Sequence, residues 1–101
     1  MNIFQAYKIN KEIKNSKNTP NREYGFYGKT VIDLQTNRYC ITAYKVLVPY
    51  QVLSDEFGRL HTDTYPKYTF SAHNQKTYAH IASRGMFARI FFKKLNGKIK
   101  Q

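Results

Sequence analysis

The 101-residue chain has one cysteine, no tryptophan, and only six acids against seventeen lysines and arginines. With Cys40 alone, neither an intramolecular disulfide nor a cysteine-based zinc site can form, and a reducing, cytoplasmic setting is the simple expectation. Uninterrupted apolar runs such as Val46 to Val48 and Ile90 to Phe92 are three residues long, whereas a bilayer-spanning helix needs about twenty. No membrane partner is expected. Lys8 and Lys11 follow the first apolar residues, and no small-residue cleavage site follows them, so the start does not read as a signal peptide. The five glycines are scattered at positions 25, 28, 58, 85 and 97, and none belongs to a phosphate loop ending in Lys-Ser or Lys-Thr. Asp55 and Glu56 are sequence neighbours in an expected turn, which suits solvation better than paired acid-base chemistry.

What is present is an apolar fraction of 42%, nine tyrosines, seven phenylalanines and a formal charge of +11. That is too hydrophobic for a disordered polyelectrolyte, and it is enough for one small domain over residues 1–101 with a single core. The charge is uneven. Residues 1–30 hold six cations and two acids, residues 31–60 three of each, and residues 61–101 eight cations with Asp63 as their only acid. Such an unbalanced field attracts polyanions or an acidic protein face.

Residues 3–15 read equally as strand and helix, because Ile3, Tyr7 and Ile9 alternate while Ile3, Ala6, Ile9 and Ile13 fall at helical spacing. Residues 15–21 contain no apolar side chain and form an exposed loop. Lys29 to Gln35 and Arg38 to Val48 make a hairpin around Thr36-Asn37, with Pro49 ending the second strand or placing it at an edge. A turn at Ser54 to Gly58 and a short extended segment at Tyr65 to Ser71 follow. Residues 74–82 lack β-branched alternation, so Ser71 or Asn74 is read as a helix cap. Met86, Phe87, Ile90, Phe91 and Leu95 then define an amphipathic helix stopped by Asn96-Gly97. The expected fold is α+β: a three- or four-stranded antiparallel sheet with a C-terminal amphipathic helix or bent helical hairpin.

The candidate binding residues follow from charge and aromaticity. Arg84, Arg89, Lys93, Lys94 and Lys98 lie on or beside the last helix, where burial of its aromatic stripe would turn cations towards phosphates. Tyr24, Phe26, Tyr27 and Tyr68 are interleaved with cations and could stack on the bases of a single strand. These features point to a non-enzymatic, sequence-tolerant nucleic-acid-binding accessory protein, taking RNA or single-stranded DNA and no cofactor. Short chains rich in Lys, Asn, Ile and Tyr are common in phages and mobile elements of AT-rich bacteria, which places this expectation there.

Two alternatives come from other classes. One is a small inhibitor of a host nucleic-acid enzyme or defence system, anti-CRISPR-like in role, that binds an acidic face of its target. A +11 chain cannot act there as an acidic DNA mimic. The other is a metal-independent ribonuclease toxin using His73 and His80 as acid and base, with Lys76, Tyr78 and Arg84 nearby. No metal site is expected from His61, His73, His80 and Asp63. Cys40 reads as a small buried strand residue, and the edges near Pro49 and Pro66 leave room for a homodimer.

Overall fold

The computed structural model describes residues 1–54 and 58–99, without the side chain of Tyr27. Helix α1 spans Ile3–Asn15, and its start is fixed by a reciprocal cap: Asn2 Oδ1 accepts from the Gln5 N–H at 2.8 Å, and Gln5 Oε1 accepts from the Asn2 N–H at 3.0 Å. This cap decides between the two periods of the segment, since each bond satisfies a donor that the first helical turn otherwise leaves open. Ala6, Ile9 and Ile13 are buried while Ile3 and Tyr7 are exposed, so the helical spacing wins.

Five strands follow: β1 Asn21–Tyr24, β2 Thr30–Gln35, β3 Tyr39–Leu53, β4 Leu60–Asn74 and β5 His80–Ser83. They form one antiparallel sheet in chain order, with one more strand than the widest sequence expectation. The expected hairpin is β2–β3, whose turn is held by Thr36: its N–H donates to the Tyr39 carbonyl at 2.9 Å, and its Oγ1 accepts from the Tyr39 N–H at 3.0 Å. Pro49 does not end β3. It pairs opposite Thr64 in a stretch beyond the reach of β2, an edge position where a missing N–H costs no ladder bond. Residues 55–57, at the centre of the expected Ser54 to Gly58 turn, lie outside the described residues.

The expected helix over residues 74–82 is replaced by a turn and strand β5. Asn74 Oδ1 accepts from the N–H groups of Lys76 and Thr77 at 2.9 and 3.1 Å, and its own N–H donates to the Ala79 carbonyl at 2.9 Å. The side chain expected to cap a helix closes a turn instead, and Tyr78 stands there at φ 60°. No helical hairpin forms; the C-terminal helix α2 begins at Met86 and runs to Ile99. It passes through Asn96-Gly97 because tertiary bonds hold its end. Asn96 Oδ1 accepts from Arg22 Nη1 at 2.6 Å, and Lys98 Nζ donates to the Ser16 carbonyl at 2.7 Å.

Both helices cover one face of the sheet. The core gathers Ala6, Ile9 and Ile13 from α1, Ile32, Leu34, Ile41, Ala43, Phe70 and Ala72 from β2 to β4, and Ala88, Phe91, Phe92 and Leu95 from α2. The α2 stripe is therefore rotated from its sequence reading: Ala88 and Phe92 turn inward, while Met86 and Ile90 are exposed. The other sheet face carries small and polar residues such as Thr42, Ser71 and His73 opposite the buried positions. Cys40 belongs to that face and is exposed, contrary to expectation; Ile41 and Ala43 point inward, so period 2 turns Cys40 outward.

Candidate anion-binding surface

Lys93, Lys94 and Lys98 of α2 and Lys14 of α1 line a groove of about 450 Å³ between the helices, with Asn10, Ile13 and Gly97 completing the wall. No acid lines it. Lys94 and Lys98 stand one helical turn apart, where like charges repel. Each is held by a neutral acceptor, Lys94 Nζ donating to Asn10 Oδ1 and Lys98 Nζ to the Ser16 carbonyl. Glu12, the one acid on either helix, faces Arg38 instead, with Oε1 3.9 Å from Nε.

Arg84 and Arg89 sit apart from this groove. They line a hollow of about 460 Å³ at the start of α2, with Pro66, Lys67, Tyr68 and Met86. Arg84 also borders the open sheet face, beside Tyr44 and Thr69. The five expected cations thus fall into two clusters at the two ends of α2. Nine residues separate Arg89 from Lys98, or about 14 Å along the helix.

The aromatic candidates divide as well. Tyr24 and Phe26 are 71% and 89% exposed at the β1 edge. The Arg22 guanidinium lies 5.1 Å from the Tyr24 ring centre and bonds Asn96, which ties this edge to the second half of α2. Tyr68 is half-buried, its ring 5.4 Å from that of Phe92, and packs against the core. The side chain of Tyr27 lies outside the described residues.

Sequence reasoning passed over Lys8, Lys11 and Lys14, although they recur every third residue, because α1 had no assigned conformation and so no assignable face. It also passed over Tyr44, whose ring lies 4.9 Å from Lys29 Nζ on the open sheet face. His73 and His80 are brought together, but on neighbouring strands, their rings stacked with centres 4.3 Å apart. Among the described residues, no three His, Cys, Asp or Glu side chains converge as metal ligands, and no helix is long and apolar enough to cross a membrane.

The chain matches no protein-family model, and it has no significant match among curated proteins or solved structures.

Proposed function

We propose that the protein is a non-enzymatic nucleic-acid-binding accessory protein whose helical face takes up the phosphate backbone without reading sequence. One observation carries this reading: α1 and α2 together bear seven cations and one acid, and that acid faces Arg38. Lys14, Lys93, Lys94 and Lys98 form the central contact. Cations held by neutral acceptors keep their full charge for a polyanion, and each phosphate they neutralise releases condensed counterions. Tyr24 and Phe26, beside Arg22, supply exposed rings on which unpaired bases stack, a contact worth about 1–3 kcal/mol per base. That gives the single strand an advantage over a duplex.

Affinity for a mixed-sequence oligonucleotide, measured as a function of salt, tests the proposal. On a log-log plot the slope is expected to be steep, at roughly −0.7 per neutralised phosphate. Replacing Lys14, Lys93 and Lys94 with Ala is expected to weaken binding uniformly across sequences and to flatten the slope by about 0.7 per lysine. A slope near zero for the unaltered protein would discard the nucleic-acid reading. Recovery of one stoichiometric acidic protein after nuclease treatment would transfer the same groove to a protein partner.

A further inference from the structure

The longest dimension of the molecule is 57 Å, against 28 and 20 Å for the other two, and a two-stranded ribbon contributes to it. Pairing of β2 with β3 ends at Thr30 and Lys45, and pairing of β5 with β4 ends at Ser83 and Phe70. Among the described residues, from Val46 opposite Lys67 out to Leu53 opposite Leu60, β3 and β4 have no strand partner but each other, although the turn at Phe26–Gly28 packs on Leu47 at the ribbon base. Isolated two-stranded ribbons are marginal in water. This one nevertheless exposes Leu47, Tyr50, Leu53, Leu60 and Tyr65 by 36 to 64%.

Strand alternation sorts these side chains onto two faces. One face has Leu47 and Pro66 at its base, Leu53 and Leu60 at its outer end, and Pro49, Gln51, Thr62 and Thr64 between. It bears no charge, in a chain of net charge +11. The other face bears His61, Asp63 and Lys67 beside Tyr50 and Tyr65.

We propose that the uncharged face is a self-association surface, on which a second copy of this chain packs with its ribbon antiparallel to the first. Three observations select this occupant. The order along the face, apolar then polar then apolar, is the same read from either end, so the outer leucines of one copy meet the basal Leu47 and Pro66 of the other while the polar centres meet. This is the self-complementarity that a two-fold contact requires. Antiparallel packing also places the two basic bodies at opposite ends, so that like charges stay apart; no contact through the helices does that. Finally, Pro49 and Pro66 interrupt the rows of N–H groups on the outer edges of the ribbon, which disfavours addition of a foreign strand and leaves the face. A face of eight rungs and two strands covers on the order of 400 Å² per copy, about half of what a stable interface buries, so the dimer is weak and reversible.

Sedimentation velocity of the full chain at physiological salt, over a wide concentration series, tests the proposal. A reversible monomer–dimer equilibrium is expected, with half-association at roughly tens of micromolar. The double variant Leu53→Lys/Leu60→Lys is expected to raise the dissociation constant more than tenfold with an unchanged circular dichroism spectrum. His61→Lys, which adds charge to the opposite face, is expected to leave the dimer intact. A spin label on the exposed, single Cys40 supplies the geometry: antiparallel ribbons put the two labels on the order of 60 Å apart. The proposal is overturned by a monomer at every concentration, by a dimer insensitive to the double lysine variant, or by labels much closer together.

Discussion

At Gly28 the backbone stands at φ +69°, and a Cβ added there would meet Leu47 Cδ1 at 2.7 Å and Cγ at 2.9 Å. Both facts penalise any other residue. Gly28→Ala is expected to cost about 2 kcal/mol or more, from left-handed strain and from displacement of Leu47 at the ribbon base, and to lower the urea midpoint accordingly. Gly97 is the converse, since a Cβ there meets nothing within 4 Å and the residue lies inside α2. Gly97→Ala is expected to add about 0.5 kcal/mol, and a loss instead would show that α2 ends before Gly97 in solution. The sequence stops the helix at Asn96-Gly97, yet the helix continues, because the partners that hold its end, Arg22 and Ser16, lie far away in sequence. At Tyr50 the carboxylate of Asp63 opposes phenolate formation by its charge, and burial and the 3.3 Å hydrogen bond add to this, so the phenol is held above its ordinary range. The folded chain keeps this proton longer than the unfolded one. Its contribution is therefore complete below the unfolded phenol range and is lost as pH rises through the folded value. Asp63→Asn is expected to bring Tyr50 back down, as read from tyrosinate absorbance during an alkaline titration, and an unmoved curve would show that the pair does not form in solution.

Helix α2 joins the core to the candidate surface, so its two sides respond differently to truncation. Phe91 is 2% exposed, with its ring 4.9 Å from that of Phe70. Phe91→Ala is expected to cost about 3–5 kcal/mol, much of the 5–15 kcal/mol that such a domain has. Ile90→Ala, one residue earlier but 39% exposed, is expected to cost about 1 kcal/mol or less; equal losses in thermal unfolding would mean that the helix face is misassigned. This face was half legible in the sequence. Phe91 and Leu95 are inward as expected, but Phe92 replaces Ile90 because it can reach the Tyr68 ring, a partner 24 positions away that local spacing does not reveal. The β2–β3 hairpin was legible because one face is apolar in strict alternation and Thr36-Asn37 can turn. β5 was not, because only Ile81 of its four residues packs against the core and its neighbours face an open side that needs no apolar residue. The cations of α2 were legible by type, but the groove depends on Lys14, and α1 could be given a face only once Asn2 and Gln5 were seen to cap it.

Across the whole molecule, charge is unevenly spread: the helices hold seven cations, and one ribbon face holds none. Salt should therefore act on stability and on binding in opposite directions. At about 10 mM salt the screening length is about 30 Å, longer than two of the three molecular dimensions, so nearly every cation repels every other. At about 150 mM it is about 8 Å, and only neighbours on one helix, or across the groove, still interact. The free protein is expected to gain a few degrees in melting temperature over that interval as self-repulsion is screened, while its affinity for an oligonucleotide falls. Replacing Lys14, Lys93, Lys94 and Lys98 with Gln should flatten both responses together, since the same uncompensated charge drives repulsion in the free state and counterion release in the bound one. If only the binding response flattened, the groove lysines would contribute little to repulsion in the free protein, and the origin of the stability response would move to cations outside the groove. If only the stability response flattened, the groove would be a site of repulsion that the nucleic acid does not touch, and Arg84 and Arg89 at the other end of α2 would become the residues to replace.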